Sequence, residues 1–282
     1  MEKPAAVLVR VGTGGPGLCE ARAPFLRADD LGALRGDGVF ERFLVIGGQA
    51  RHLDDHLARL HRSAQQVDLQ VPADEAWRAA ISAAVAAWLG GQEWEMRLVC
   101  TRGPEEGGDP TAYVLGQELT SQLLSQRSGG VAAVTLTRGF ASGLAGEAPW
   151  LLLGAKTLSY AVNVASKRWA ARQGADEAIF VGTDGLVCES GTSAVVAAFG
   201  QRLVSPPPSV GILDSISVAH LFSAAEAAGW VAARDDLTVD ALLAADGLWL
   251  CSSLRFARVR TLDGKELPLP PAHGQLARLA AS

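Results

Sequence analysis

The sequence predicts two domains of mixed α and β structure, a smaller α+β first domain beside an antiparallel, barrel-like second one. Three observations carry this expectation. Long helical patterns flanked by strands fill the first half. Turn signals at Asp184-Gly185, Gly200-Gln201 and Asp263-Gly264 punctuate the second half, which has few long helices. Between the halves, Gly116 to Gly130 turns polar, rich in Gln, Ser and Thr, as interdomain linkers do. The boundaries drawn are residues 1–117, a linker over 118–130, and 131–282.

The bulk properties fit an ordinary globular chain. The chain has 282 residues, 49% hydrophobic and 20% charged, enough for two ordinary cores. A net charge of −5 gives no electrostatic case for a nucleic acid or an anionic membrane as partner. Cys19, Cys100, Cys188 and Cys251 form no CxxC pair and read as reduced thiols of a cytoplasmic protein. No apolar run reaches the roughly 20 residues that span a bilayer, and Met1-Glu-Lys-Pro does not read as a signal peptide.

In the first half, Ala5 to Arg10 alternates as a strand, and Gly12-Thr-Gly-Gly-Pro-Gly17 is a loop without the spacing of a phosphate loop. Gly36-Asp-Gly-Val-Phe-Glu41 precedes the strand Arg42 to Ile46, closed by the turn Gly47-Gly48. A helix follows, capped by Asp54 or Asp55, with Leu57, Leu60, Ala64 and Val67 on one face and Arg59 beside it. His52 and His56 have metal-pair spacing, but no third ligand accompanies them, so no metal is expected. Ala73 to Leu89 is a second helix, buried through Trp77, Ile81, Val85 and Trp88. Met96 to Thr101 and Tyr113 to Leu115 are strands; Arg97 points from the first and Arg102 ends it.

In the second half, Val131 to Thr137 is a strand and Arg138 to Glu147 a loop. The apolar run Pro149 to Ala155 reads as a strand ending at a lone lysine, Lys156, ahead of an alanine-rich helix from Ala161 to Gln173. Such a lysine is either a solvated edge residue or a desolvated amine for Schiff-base chemistry. Strands at Gly174 to Val181 and Leu186 to Gly191 carry Glu189, a lone carboxylate that burial would force to find a partner. A hairpin over Thr192 to Ser205 leads through Pro206-Pro-Pro to a helix from Ser215 to about Ala228, whose first N–H groups form an anion site. Trp249 to Ser253 ends a later strand with two hydroxyls, Ser252 and Ser253.

Gly36-Asp-Gly-Val-Phe-Glu41, His56-Leu-Ala-Arg59-Leu-His-Arg-Ser-Ala64, Lys156-Thr-Leu-Ser-Tyr160, Gly174 to Phe180 with Asp184 to Glu189, and Gly211-Ile-Leu-Asp-Ser-Ile-Ser217 together resemble one family. It is the class IV (fold-type IV) pyridoxal-phosphate enzymes, which include branched-chain aminotransferases, D-amino-acid transaminases and 4-amino-4-deoxychorismate lyases. The resemblance runs through nearly the whole chain. It implies a smaller N-terminal α/β sandwich, a larger C-terminal barrel-like β domain with helices, and a homodimer. It also implies pyridoxal 5′-phosphate held covalently by Lys156, with Glu189 at the pyridine nitrogen. Arg59, the N–H groups of Ile216 and Ser217, and Ser253 (or Ser252) would bind the phosphate. Tyr160 would reach the phenolic oxygen, and Arg102, in preference to Arg97, a substrate carboxylate. Two positions depart from the family pattern: Arg42 stands where a small residue is usual, either as a further carboxylate ligand or as a residue that narrows the pocket, and Ser215 replaces a glycine. The compact length and Lys156-Thr-Leu-Ser-Tyr-Ala-Val-Asn-Val resemble the lyase most closely. The expected reaction is therefore conversion of aminodeoxychorismate to 4-aminobenzoate and pyruvate for folate synthesis. A D-amino-acid or branched-chain transaminase is the alternative.

Overall fold

The structure, a computed structural model, describes residues 6–12 and 14–281; the readings at Met1 to Ala5 and at Thr13 lie outside them. It divides into two compact units, residues 1–120 with 155–160, and 121–154 with 161–282. The sequence alone puts Lys156 in the second half. Its segment instead packs in the first unit.

In the first unit, the strands are β1 (Ala6–Val11), β2 (Gly17–Cys19), β3 (Gly38–Ile46), β4 (Gln49–Ala50), β5 (Glu93–Thr101) and β6 (Thr111–Gln117). The helices are α1 (Leu31–Arg35), α2 (Leu53–Gln66) and α3 (Asp74–Ala87). The six strands form one antiparallel sheet in the order β2-β1-β6-β5-β3-β4. Alternation divides its faces. Val39, Phe43 and Val45 of β3, Met96 and Leu98 of β5, and Val114 of β6 pack with Leu57, Leu60, Trp77 and Ile81 of α2 and α3 in one core. Phe40 and Arg42 of β3, Glu95, Arg97 and Val99 of β5, and Tyr113 and Leu115 of β6 belong to the opposite face. Helix α2 begins earlier than an Asp cap predicts: His52 is its left-handed N-cap, and Asp54 and Asp55 lie in the first turn, where they favour the helix dipole.

In the second unit, the helices are α4 (Ser121–Gly129), α5 (Ala161–Arg172), α6 (Ile216–Ala227), α7 (Val239–Ala244) and α8 (His273–Ala281). The strands are β7 (Val131–Thr137), β8 (Glu177–Val181), β9 (Val187–Ser190), β10 (Ala194–Phe199), β11 (Arg202–Ser205), β12 (Val231–Arg234), β13 (Gly247–Ser252), β14 (Arg255–Leu262) and β15 (Lys265–Glu266). The stretch expected as a polar linker is thus mostly helix α4. The sheet runs β12-β11-β10-β13-β14-β7-β8-β9, with β15 on β14. It is curled and mixed rather than antiparallel throughout: β7 lies parallel to β8 and β14, and β11 parallel to β12. Helix α6 supplies the crossover from β11 to β12, as a parallel pair requires. The apolar run before Lys156 is a short 3₁₀ turn, Pro149–Leu151, not a strand. No helix among the described residues is long and apolar enough to cross a membrane.

A buried polar network ties the second unit together. Arg255 at the start of β14 donates to Glu177 of β8 at 2.5 Å, to Ser193 at 3.3 Å and to Gln126 of α4. Lys167 of α5 lies 2.9 Å from the same carboxylate, and Ser190 donates to it at 3.3 Å. Glu177 is completely buried, and these partners satisfy its carboxyl oxygens.

Candidate active site

Within the first unit, Thr157 makes an isolated antiparallel bridge to Val39 at the edge of β3. The N–H of Phe40 donates to the carbonyl of Lys156 at 3.0 Å, and the N–H of Leu158 donates to the carbonyl of Gly38 at 2.8 Å. The N–H of Lys156 donates to Ser63 Oγ on α2 at 3.0 Å. Three hydrogen bonds to the segment's own backbone thus fix where the lysine leaves the chain. Its Nζ lies 4.5 Å from the centre of the Phe40 ring, a cation–π separation. Tyr160 meets the same ring edge-on, with centroids 5.4 Å apart.

Close approach also explains the second glycine of Gly36-Asp-Gly38. A Cβ at position 38 would sit 2.5 Å from the carbonyl oxygen of Cys100 and 2.7 Å from Leu158. Gly38→Ala is therefore expected to destabilise the protein by about 1–3 kcal/mol, the usual cost of overpacking, measured as a lower denaturant midpoint. A midpoint equal to wild type would show that residues 156–158 do not press on β3 there.

Arg59 of α2 is buried and committed. Its Nε donates to Glu41 Oε1 at 2.7 Å and its Nη2 to Glu41 Oε2 at 2.8 Å. His56 Nδ1 lies 2.7 Å from the same carboxylate. Burial pushes the Glu41 carboxyl up, but the Arg59 charge, its hydrogen bonds and His56 outweigh burial and hold it at about 2. Burial also lowers the His56 pKa, and the nearby Arg59 and Lys156 charges act the same way.

Three arginines were candidates for a substrate carboxylate, and their settings differ. Arg102 donates twice to Asp37, at 2.6 and 3.2 Å, and to the carbonyls of Val67 and Asp68 at 2.5 and 3.1 Å. Arg42 and Arg97 instead stand directly opposite each other across β3 and β5. One carboxylate, Glu95, lies near both: it is hydrogen-bonded to Arg42 Nη2 and 3.8 Å from Arg97 Nη2. The Nε groups of both arginines are buried without a hydrogen-bond partner. Burial, followed by the Arg42 charge, lowers the Arg97 pKa. The pair shares the Phe40 face of the sheet, the face over which Lys156 reaches.

The second unit holds the remaining candidates. Glu189 of β9 accepts from the N–H of Leu213 at 3.4 Å. Ser215 caps α6, its Oγ accepting from the N–H of Val218 at 3.3 Å. Helix geometry leaves the N–H groups of Ile216 and Ser217 pointing out of the helix end. Ser215 has φ −80° and ψ 112°, ordinary extended backbone, so this turn needs no glycine. Ser217 Oγ lies 3.3 Å from Ser253 Oγ, so Ser253 is the hydroxyl placed at the α6 start. Sequence reasoning overlooked Arg138, taken as part of a loop. Its guanidinium donates to the carbonyls of Val210 (2.9 Å) and Gly211 and approaches Cys188 Sγ at 3.6 Å. It therefore ties the loop that leads to α6 to the strand of Glu189. An arginine just beyond a strand was the available signal, but its acceptors lie far along the chain.

The sequence pattern of the amino-transferase class IV family matches residues 38–261. The chain belongs to this family. A class IV relative, the bifunctional aminodeoxychorismate lyase / D-amino acid transaminase of Mycobacterium tuberculosis, is 44% identical over 266 residues, covering 91% of this chain and 92% of that one. The pyridoxal-phosphate-bound structure of a hypothetical aminotransferase from the same organism superposes with a TM-score of 0.94 at 42% identity, over 98% of this chain and 97% of that one. A fold IV-transaminase from Curtobacterium pusillum gives 0.92 at 39% identity, with 98% of each chain covered. The fold is thus that of the fold-type IV class, and the two curled sheets are its half-barrels.

Proposed function

We propose that this class IV enzyme cleaves 4-amino-4-deoxychorismate to 4-aminobenzoate and pyruvate, with transamination of D-amino acids as a second activity. The observation that carries the reading is the placement of Lys156 and the Arg42–Arg97 pair on one face of one sheet. That face offers an amine and a cationic carboxylate site to the same small molecule. Aminodeoxychorismate carries two carboxylates and an amino group. The bifunctional name of the 44% identical relative supports the second activity.

The cofactor is pyridoxal 5′-phosphate. The donor set suits it: an amine for the aldehyde, a carboxylate for the ring nitrogen, and a helix N-terminus with paired hydroxyls for the phosphate. We assign Lys156 to the covalent link, Glu189 to the ring nitrogen and Tyr160 to the phenolic oxygen. Arg59, Ile216, Ser217 and Ser253 are assigned to the phosphate, and Arg97 and Arg42 to a substrate carboxylate. Arg102, already held by Asp37 and two carbonyls, is read as a brace of the first unit. When bound, the cofactor supplies an electron sink for the pair left at the amine-bearing carbon. Glu189 keeps the ring nitrogen protonated, which preserves that sink. With the cofactor bound, Lys156 Nζ would take the proton from the amine-bearing carbon of the substrate and return it to the departing enolpyruvate oxygen. In the transamination, the same Nζ would take the proton from the amino acid's α-carbon. The family resemblance also supports a homodimer.

The test supplies the purified protein and cofactor with aminodeoxychorismate, then with D- and L-amino acids and 2-oxoglutarate. The expected products are 4-aminobenzoate with pyruvate, and glutamate from D-amino acids. Glutamate without any 4-aminobenzoate would reject the lyase assignment.

A further inference from the structure

We infer that Glu95 is an internal stand-in for a substrate carboxylate, and that it sets the affinity of the Arg42–Arg97 pair for the second carboxylate of a dicarboxylate. This deepens the reading above and rests on it for the position of the reacting carbon.

The charge count is uneven. Two guanidiniums stand directly opposite each other, an arrangement that is unfavourable between like charges on neighbouring strands. One carboxylate lies beside them. Glu95 sits two residues before Arg97 on the same face, and its register partner is Leu44, two residues after Arg42. It is therefore diagonal to Arg42 and within its reach. The site keeps one net positive charge. The two arginines also use Glu95 unequally: Arg42 is hydrogen-bonded to it, whereas Arg97 is 3.8 Å away, beyond hydrogen-bond reach.

Access favours an outside anion. The Glu95 side chain is 7% exposed, but those of Arg42 and Arg97 are 33% and 36% exposed. The guanidiniums can thus be approached while their internal partner stays covered. Phe40 and Arg42 are alternate residues of β3, roughly 6–7 Å apart along the strand. Lys156 Nζ lies over Phe40. A molecule whose amine-bearing carbon meets Lys156 reaches Arg42 with a chain of a few carbons. A second carboxylate there supplies the missing negative charge and competes with Glu95 for the Arg42 guanidinium.

The test is calorimetric titration of the cofactor-loaded protein with glutarate, a non-reacting dicarboxylate, and with pentanoate, its monocarboxylate counterpart. Glu95→Gln keeps the shape and removes the competing charge. It is expected to tighten glutarate binding about tenfold, about 1.4 kcal/mol, and to change pentanoate less than about threefold. Unchanged or weaker glutarate binding would overturn the proposal and leave Glu95 as a brace for the arginines. Arg42→Gln covers the case in which Glu95→Gln does not fold. There Glu95 neutralises Arg97 alone, and glutarate affinity should fall at least about tenfold, to that of pentanoate. Wild-type glutarate affinity in Arg42→Gln would equally overturn it. Cofactor uptake, followed by visible absorbance, separates the two levels. A protein that takes up no cofactor fails the functional reading, while glutarate titration of the cofactor-free protein still reports on the arginine pair.

Discussion

Lys156→Ala is expected to lower turnover at least about 10³-fold, since on the proposed assignment it would remove both the covalent anchor and the group that moves the proton. Borohydride treatment should leave reduced cofactor on the peptide containing Lys156 in the wild type and none in the variant. Lys156→Arg should fail equally, because a guanidinium keeps its proton and cannot act as the base. Neither change should unfold the protein. The N–H and carbonyl of Lys156 and the N–H of Leu158 hold the segment through backbone, which neither change removes. A melting shift worth less than about 1 kcal/mol is therefore expected. Retention of a tenth of wild-type turnover by Lys156→Ala would remove the residue from its assigned role.

Glu41→Ala should be the most destabilising single change in the first unit. It strips the buried Arg59 of two hydrogen bonds and His56 of its acceptor. Breaking a buried ion pair from one side costs about 3–5 kcal/mol, read as the shift in denaturant-derived stability. The same carboxylate predicts an acid transition. Its folded pKa, about 2, lies below the ordinary 4.5, so the ionised form stabilises the fold fully above 4.5. That contribution, on the order of 3 kcal/mol, is lost as pH falls from 4.5 towards 2. His56 acts in the same direction. Its lowered pKa means that the folded state resists protonation, so stability declines below the ordinary 6.5. Glu41→Gln should be less stable at neutral pH and show a shallower loss between pH 4.5 and 2. An identical acid slope in the two proteins would show that Glu41 carries no acid-sensitive stability.

Much of the fold was legible because it is written in local pattern. Strand β7 follows from alternation, the second half of β3 from its apolar run, α2 and α3 from apolar spacing, and the hairpin turns from glycine-bearing pairs. Other elements were not legible. The polar helix α4 has no apolar stripe to announce it, and only one of its residues, Gln126, is buried. The parallel pairing of β7 with β8 and β14 depends on partners distant in sequence, which turn signals do not encode. The run before Lys156 looked like a strand because it is apolar, yet it forms a 3₁₀ turn begun by Pro149.

The candidate site shows the same division. The residues assigned above to the cofactor, Lys156, Glu189, Arg59 and the Ser215 to Ser217 turn, stand in the sequence in the family's order, so the sequence by itself pointed to the family and the cofactor. Which partners each arginine's charge finds was decided only by tertiary structure. Arg102 and Arg97 lie close together on or just beyond one strand and look interchangeable on paper. Folding places Arg102 against Asp37 and two carbonyls, and Arg97 opposite Arg42 with one carboxylate for two guanidiniums. A charged side chain's role depends on which charges neutralise it. Those partners come from strand register and chain reversal, which no local run of residues records.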